Sequence, residues 1–202
     1  MDRKSHWESV YQTKRPDEVS WFRPHLETSL AMIRSVALSS ARIIDVGGGE
    51  ATLVDDLVAL GYQHVDVLDL SATALEVTRN RLGPKAATVG FLVGDVTSYP
   101  FAAEEYDLWH DRAVFHFLTD PVARAAYVEQ VRRAVKPGGH VMVATFGLEG
   151  PLRCSGLDVA RYDHEGLHAQ FGDQFELLRH ETEDHVTPAG KQQEFVYCLC
   201  KR

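Results

Sequence analysis

Acidic side chains follow three apolar runs of the sequence, each at the point where a strand would end. Asp45 comes just before the glycine turn 47–49, Asp69 ends the next apolar run, and Asp95 follows the third. Parallel α/β sheets bind ligands at the edge where the carboxyl ends of neighbouring strands meet. Asp69 there is placed to accept both hydroxyls of a ribose, and Asp95 with the amide of Val96 can bind an adenine edge.

The residues in and around the glycine turn limit the classes of ligand that the predicted site could bind. Glycines leave no Cβ in the way of a ligand that approaches the backbone. A dinucleotide-binding turn would place its third glycine at position 52, which is Thr52, and a phosphate-binding P-loop would need a Gly-Lys-Ser/Thr sequence that the chain lacks. Asp45 would repel phosphates and suits a positively charged group. Each acid taken singly is equally well explained as a helix cap or loop residue. The three together predict a nucleoside with a cationic tail.

The elements that would position these acids alternate along the chain. Short apolar runs predict strands at 41–46, 64–70, 89–93, 106–109 and 140–146, and amphipathic spacing predicts helices at 53–60, 71–82 and 121–135. A helix at 24–36 precedes them. A short helix at 163–171 and two β runs, 175–185 and 192–200, follow. The sequence therefore predicts a Rossmann-like α/β fold, with five parallel strands, a C-terminal antiparallel hairpin and helices on both faces.

Length and composition indicate the number of domains, the classes of partner and the location of the protein. The 202 residues predict a single domain, with an N-terminal cap at 1–38, a ligand-binding core at 40–146 and a substrate loop, short helix and hairpin at 147–202. A net charge of −8 argues against a nucleic-acid or membrane-surface partner. The N-terminus lacks the apolar stretch of a secretory signal, and three cysteines form no disulfide framework. We expect a cytoplasmic protein of undetermined oligomeric state.

The motifs at the strand ends, in this order and spacing, resemble those of the class I S-adenosylmethionine-dependent methyltransferases. The resemblance implies that fold and S-adenosylmethionine as cofactor. It places Asp45 and the glycines by the methionine portion, Asp69 on the ribose and Asp95 with Val96 at the adenine. Ala51, where many members have glycine, is the one departure. The residues that carry the resemblance are 45–49, Asp69, 94–96, 106–108 and 136–139, and the cofactor-binding set predicted from them is Asp45, Gly47, Gly48, Gly49, Asp69, Leu70, Asp95, Val96, His110 and Trp21.

Residues 109–116 would lie where the methyl group is transferred. We predict Asp111 as a base or its partner, Arg112 as an anion ligand or a support for Asp111, and His116 as a titrating group. These three residues form the predicted catalytic set. Residues 106–113 are also similar to the matching stretch of thiopurine and other thiol methyltransferases, where an Asp-Arg pair lies at the substrate. That similarity favours a sulfur acceptor. A salt bridge between Asp111 and Arg112 that holds the loop explains the pair equally well.

Two further segments are candidates for the acceptor site. Arg153, Cys154 and Arg161 lie in a long irregular loop after the fifth predicted strand and form the predicted substrate-binding set. The N-terminal aromatic residues Trp7, Tyr11, Trp21 and Phe22 predict either a lid over the cofactor or an apolar clasp on the sheet.

The HExxH-like stretch 164–168 is better explained as the polar face of a short helix than as a zinc site, so no metal is predicted. Four functional hypotheses remain from the sequence, one of which is a nicotinamide oxidoreductase that would bind NAD in preference to S-adenosylmethionine. The other three involve S-adenosylmethionine. The first is methylation of a small-molecule nucleophile, weakly favouring sulfur. The second is methylation of a protein side chain. The third is a non-catalytic module that only binds S-adenosylmethionine.

Overall fold

The sheet predicted from the sequence is present in the computed structural model, which describes residues 2–202. The strands are β1 Arg42–Val46, β2 His64–Asp69, β3 Val89–Val93, β4 Tyr106–Arg112, β5 Val135–Phe146, β6 Arg153–Cys154, β7 Leu157–Asp158, β8 Glu176–Val186 and β9 Gln192–Lys201. Seven of them form one sheet in the order β3-β2-β1-β4-β5-β9-β8, and β6 and β7 form a separate small hairpin. Strands β1 to β5 are parallel, and β9 lies antiparallel between β5 and β8. The predicted fold class is confirmed.

Residues 2–202 contain six α-helices, namely α1 Arg3–Thr13, α2 Glu27–Val36, α3 Leu53–Ala59, α4 Ala72–Leu82, α5 Pro121–Ala134 and α6 His164–Ala169. Short 3₁₀ turns occur at 16–18, 83–88 and 115–117. Ser71 caps α4 by accepting a hydrogen bond from the amide of Ala74, as predicted. Among the helices of residues 2–202, each is too short or too polar to cross a membrane.

Alternation along the strands divides the core into two clusters. Ile43 and Leu108 pack on one face of the sheet with α3, whereas Ile44 and Trp109 pack on the other face with Tyr127 of α5. Successive side chains of a strand point to opposite faces, so both faces of the central strands are apolar and covered by helices. Strand β4 continues past the predicted end at Trp109 to Arg112. Positions 110–112 therefore alternate between the two faces instead of lying in one loop.

Helix α1 was not expected from the sequence, which predicted only a polar segment with aromatic residues there. Asp2 caps the helix by accepting from the amide of Ser5, and none of its residues is buried. Long-range contacts hold it in place. The carboxylate of Glu8 accepts hydrogen bonds from the hydroxyl of Ser71 and the amide of Ala72 at the start of α4. Such contacts leave no periodic apolar pattern, so the sequence does not reveal the helix.

Candidate functional site

The main cavity lies between α1 and the carboxyl edge of the parallel strands. It encloses about 830 Å³ of empty space, counting its open mouth. Its walls come from the N-terminal segment, the ends of β1, β2 and β5, the loops after β3 and β4, and β6. The lining residues are Arg3, Trp7, Tyr11, Trp21, Val46, Gly47, Leu68, Asp69, Leu70, Gly94, Asp95, Val96, Arg112, Ala113, Val114, Phe117, Leu118, Phe146 and Cys154.

A smaller recess of about 500 Å³ lies beside the glycine turn. It shares Trp21, Gly47 and Arg112 with the main cavity, so the two spaces adjoin. Its remaining lining is Pro16, Val19, Phe22, Arg23, Leu26, Asp45, Gly48, Glu50, Ala51 and His110. The recess therefore carries two carboxylates and two guanidinium groups among apolar side chains.

The glycine turn leaves no room for side chains. Gly47 has a φ of +68°, and a Cβ there would lie 2.0 Å from Cγ2 of Val114. A Cβ on Gly48 would lie 2.5 Å from Oδ2 of Asp45. Gly49 does not line either space, but its carbonyl accepts a hydrogen bond from the hydroxyl of Thr78. The turn is thus packed against the acid that precedes it and the loop after β4.

Asp45 and Glu50 are buried carboxylates with unused oxygens. Asp45 is 2% exposed and Glu50 is 6% exposed. Within residues 2–202, Oδ2 of Asp45 and Oε2 of Glu50 have no hydrogen-bond partner. Burial raises the pKa of Glu50 to about 7. A buried carboxylate without a partner costs free energy, and a bound cation offsets that cost.

The predicted nucleoside residues line the main cavity. Asp69 accepts a hydrogen bond from the amide of Ser71, and burial raises its pKa to about 7, with the nearby charge of Asp45 acting in the same direction. Leu70 follows it in the lining. Asp95 uses Oδ1 to accept from the amide and hydroxyl of Thr97, which fixes the turn that presents Val96 to the cavity.

His110 faces the recess and is held at both ring nitrogens. Its Nδ1 lies 2.6 Å from Oδ1 of Asp45, and its Nε2 lies 2.9 Å from the hydroxyl of Ser29. All three side chains are buried. The histidine thus fixes the carboxylate at the glycine turn.

Arg112 lies at the boundary between the two spaces. It donates from Nε to the hydroxyl of Tyr197 at 2.8 Å, from Nη1 to the carbonyl of Trp21 at 3.2 Å and from Nη2 to Glu183 at 3.3 Å. Arg23 also reaches Glu183, at 3.4 Å. Two guanidinium groups share one carboxylate here, so this side of the recess has an excess of positive charge.

The structure does not bring Asp111 to either space. Its fully buried carboxylate accepts hydrogen bonds from the amides of Val114 and Phe115 and from the hydroxyl of Tyr127, at 2.9, 3.1 and 2.7 Å. Burial raises its pKa to about 6. The lining of both spaces omits it, and across residues 2–202 it forms no salt bridge with Arg112. The geometry is that of a residue that holds the loop after β4, contrary to the predicted base.

His116 is likewise enclosed. Its ring stacks on Phe146, its Nδ1 accepts from the amide of that residue at 3.3 Å, and it is absent from the lining of both spaces. Burial and the charge of Arg112 lower its pKa to about 3, so the ring is neutral near pH 7. The predicted catalytic set is therefore not assembled at the cavity, where only Arg112 of the three lies.

Of the predicted substrate-binding set, only Cys154 reaches the cavity. Arg153 is exposed and pairs with Asp158 at 3.0 Å within the small hairpin of β6 and β7. Arg161 donates to the carbonyls of Leu148 and Gly150, which ties the loop together. Both arginines therefore stabilise the local structure of the loop through contacts with nearby carbonyl and carboxylate groups.

Helix α1 supplies lining residues that the sequence left undecided. Arg3, Trp7 and Tyr11 are spaced four apart, so they lie on one helical face, and that face covers the cavity. Trp7 also packs edge-on against Trp21 and Phe117. The aromatic residues thus both cover the cavity and pack the N-terminal segment against the rest of the protein. Arg3, Arg23, Glu50 and Phe146 were missed, and only Glu50, directly after the glycine turn, has a local sequence signal.

Comparison with known proteins points to one family. Residues 43–139 match a family model described as a methyltransferase domain. The chain is 31% identical over 122 residues to the malonyl-acyl-carrier-protein O-methyltransferase of Methylococcus capsulatus. That match covers 60% of this chain and 43% of the relative, so the chain spans less than half the length of that relative.

Two solved structures share the fold across most of the chain. One, described by the conversion of a disulfide bond into a thioacetal group during echinomycin biosynthesis, has a TM-score of 0.80, with 19% identity and coverage of 98% of this chain and 92% of that one. The other is a 1,6-didemethyltoxoflavin N1-methyltransferase of Burkholderia thailandensis with bound S-adenosylhomocysteine. It has a TM-score of 0.76, with 16% identity and coverage of 98% and 86%.

Proposed function

We propose that this chain, whose residues 43–139 match a methyltransferase-domain model, is a class I S-adenosylmethionine-dependent methyltransferase that transfers the methyl group of S-adenosylmethionine to a small molecule. The observation that carries the proposal is the pair of unpartnered buried oxygens, on Asp45 and Glu50, at a glycine turn that admits no Cβ. Such oxygens suit a positively charged ligand that approaches the main chain closely.

The recess complements an amino-acid group. Asp45 and Glu50 offer carboxylate oxygens for an ammonium, and Arg23 and Arg112 share the single carboxylate of Glu183, which leaves positive charge for a carboxylate. The methionine portion of S-adenosylmethionine carries both groups. The donor set in the recess therefore fits the cofactor that the family uses.

The nucleoside portion fits the other end of the cavity. Asp69 would accept the ribose hydroxyls, with Leu70 beside them. Asp95 and the amide of Val96 would bind the adenine edge, as the resemblance implies. This arrangement leaves the part of the cavity bounded by Trp7, Tyr11, Trp21, Phe146 and Cys154 for the acceptor.

The chain's own contribution to methyl transfer is alignment and exclusion of water. S-adenosylmethionine supplies a methyl group on a positively charged sulfur, a good leaving group. The aromatic walls and the α1 roof keep water from the reacting atoms, and Arg112 fixes Trp21 at the boundary of the two spaces. A roof of this kind favours a small molecule over a protein side chain, which would have to pass α1.

We further propose a sulfur acceptor. Asp111 and His116 are enclosed by protein, so neither can take a proton from an acceptor in the cavity. A thiol, with a pKa of about 8.5, ionises by itself close to neutral pH and depends less on a general base than an alcohol does.

Two measurements test the proposal. Calorimetry should show one molecule of S-adenosylmethionine bound per chain, and absence of binding would contradict the assignment. A screen of thiols, phenols, amines, halides and peptides for release of S-adenosylhomocysteine should give the fastest turnover with a thiol. Turnover of another class alone would contradict the sulfur acceptor. Binding without turnover in any class would favour a non-catalytic module.

A further inference from the structure

Two adjacent residues at the start of α2 connect to both halves of the charged recess. We propose that Thr28 and Ser29 are positioning residues that hold the carboxylate and guanidinium groups at the spacing of an α-amino acid, and so set the affinity for that end of the cofactor. The inference rests on the proposed function, because it assigns the recess to the methionine portion.

Ser29 acts on the acidic half through His110. The three buried groups form a chain, from the Ser29 hydroxyl to Nε2 of His110 at 2.9 Å and from Nδ1 of His110 to Oδ1 of Asp45 at 2.6 Å. When Asp45 is ionised and the ring is neutral, Nδ1 donates to Asp45 and Nε2 accepts from Ser29. Oδ1 is thereby used, and Oδ2, beside Gly48, is the oxygen left for a ligand.

Thr28 acts on the basic half through Glu183. Its hydroxyl donates to Oε2 of Glu183 at 2.6 Å, while Oε1 of the same carboxylate receives Arg112 at 3.3 Å and Arg23 at 3.4 Å. Burial alone would raise the pKa of Glu183, but the Thr28 hydrogen bond and the charges of Arg112 and Arg23 hold it below its ordinary value. The carboxylate therefore stays ionised and keeps both guanidinium groups in place.

Helix α2 makes a rigid base for both chains of contacts. Met32 and Ile33 of the same helix are fully buried in the core. Successive helical residues point about 100° apart, so neighbouring hydroxyls can reach two different strands, β4 and β8. The helix lies outside the matched residues 43–139, so these positions belong to the part of the chain that surrounds the family domain.

The test compares two ligands that differ only at the amino-acid end. S-adenosylhomocysteine carries the amino-acid group, and 5′-methylthioadenosine has the same adenosine and sulfur without it. Calorimetry on Ser29→Ala and Thr28→Val should show about tenfold weaker binding of S-adenosylhomocysteine, since each change loosens one charged group. Binding of 5′-methylthioadenosine should stay within about twofold of the unmodified protein, since its contacts lie at the other end.

Matched variants separate positioning from general damage. Thr28→Ser keeps the hydroxyl and should retain the affinity that Thr28→Val loses. Ser35→Ala, on the same helix, removes a hydroxyl that within residues 2–202 bonds only to the carbonyl of Met32, and should change the affinity for neither ligand. If Ser29→Ala fails to fold, the Thr28 pair decides the question.

Equal weakening of both ligands in the folded variants, or unchanged binding of S-adenosylhomocysteine, would overturn the inference and leave the proposed function standing. An unmodified protein that binds neither ligand would contradict the proposed function itself, and the inference with it.

Discussion

Asp69 at the end of β2 and Asp111 near the end of β4 are both buried acids at the same edge of the sheet, yet their surroundings differ. Burial raises both pKa values, to about 7 and about 6. Asp69 accepts one main-chain amide and lines the cavity, whereas Asp111 accepts two amides and a phenol and lines neither space. Burial and a raised pKa therefore do not identify a ligand-binding acid. Such an acid is identified by where its carboxylate oxygens point and by which groups already bond to them.

Strand geometry explains the difference. His110 and Arg112 point to the face of β4 where Ser29 and Tyr197 lie, so they reach the recess. Asp111, between them, points to the opposite face and meets Tyr127 of α5. One residue along the strand separates a side chain that lines the recess from a side chain in the core.

The glycine turn at the cavity and the loop held by Asp111 meet where Gly47 lies against Val114. Of the changes considered, Gly47→Ala should have the largest effect on stability. The change combines a positive φ with a clash at 2.0 Å, so we expect a loss of about 3 kcal/mol in the free energy of unfolding, measured with urea. Gly138→Ala is the control, since its φ is +79° but its Cβ would meet nothing within 4 Å. Equal losses in the two variants would show that the contact with Val114 is unimportant.

Asp69→Asn should be the next largest effect. Removal of the charge from the carboxylate proposed to bind the ribose should weaken S-adenosylmethionine binding by about 30-fold to 100-fold, measured by calorimetry. Asp120→Asn is a matched control, because Asp120 also accepts the amide two residues on, at the start of α5, but lies outside the cavity lining. A comparable loss in the control would point to fold damage instead of a lost ligand contact.

Asp111→Asn should affect stability more than binding. We expect it to lower the free energy of unfolding by about 1–3 kcal/mol, since a buried carboxylate loses part of its hydrogen bonding. Tyr127→Phe removes one of the same contacts and should act in the same direction. Affinity for S-adenosylmethionine should change less than about threefold in both. Unchanged stability with a large fall in turnover for Asp111→Asn alone would restore its catalytic assignment.

The smallest expected effect is a pH dependence of stability. Asp69 and Glu50 have native pKa values of about 7, above the ordinary 3.8 and 4.5, so the native state binds more protons than the unfolded state between these limits. His116, whose pKa is lowered to about 3, acts in the opposite direction below about pH 6.5. The ligand-free protein should therefore lose stability as pH rises from about 6.5 to 8, by a few degrees in Tm. S-adenosylhomocysteine, with its ammonium, should stabilise more at pH 8 than at pH 5.5. A Tm that rises from about pH 6.5 to 8 would contradict the raised values.

Much of the fold could be predicted because its signals are local. The strand at 89–93 agrees with the structure at both ends, and the predicted cap Ser71 begins α4. Apolar runs, helix caps and glycines determine structure over a few residues, so they can be recognised in short stretches of the sequence. The β4 extension was missed because Trp109 is followed by polar residues, which only burial by α2, α5 and β9 makes compatible with a strand.

The amino-acid sequence by itself determined the order of the seven main-sheet strands along the chain and of helices α2 to α6, the glycine turn and the acids at the strand ends. Only the tertiary structure decided which side chains share the recess. Thr28 and Glu183 are 155 residues apart, and Ser29 and His110 are 81 apart. Such pairs depend on which face each residue presents and on which helix packs there. Local sequence patterns carry no information on contacts of that range, because those contacts form only when the sheet and its helices come together.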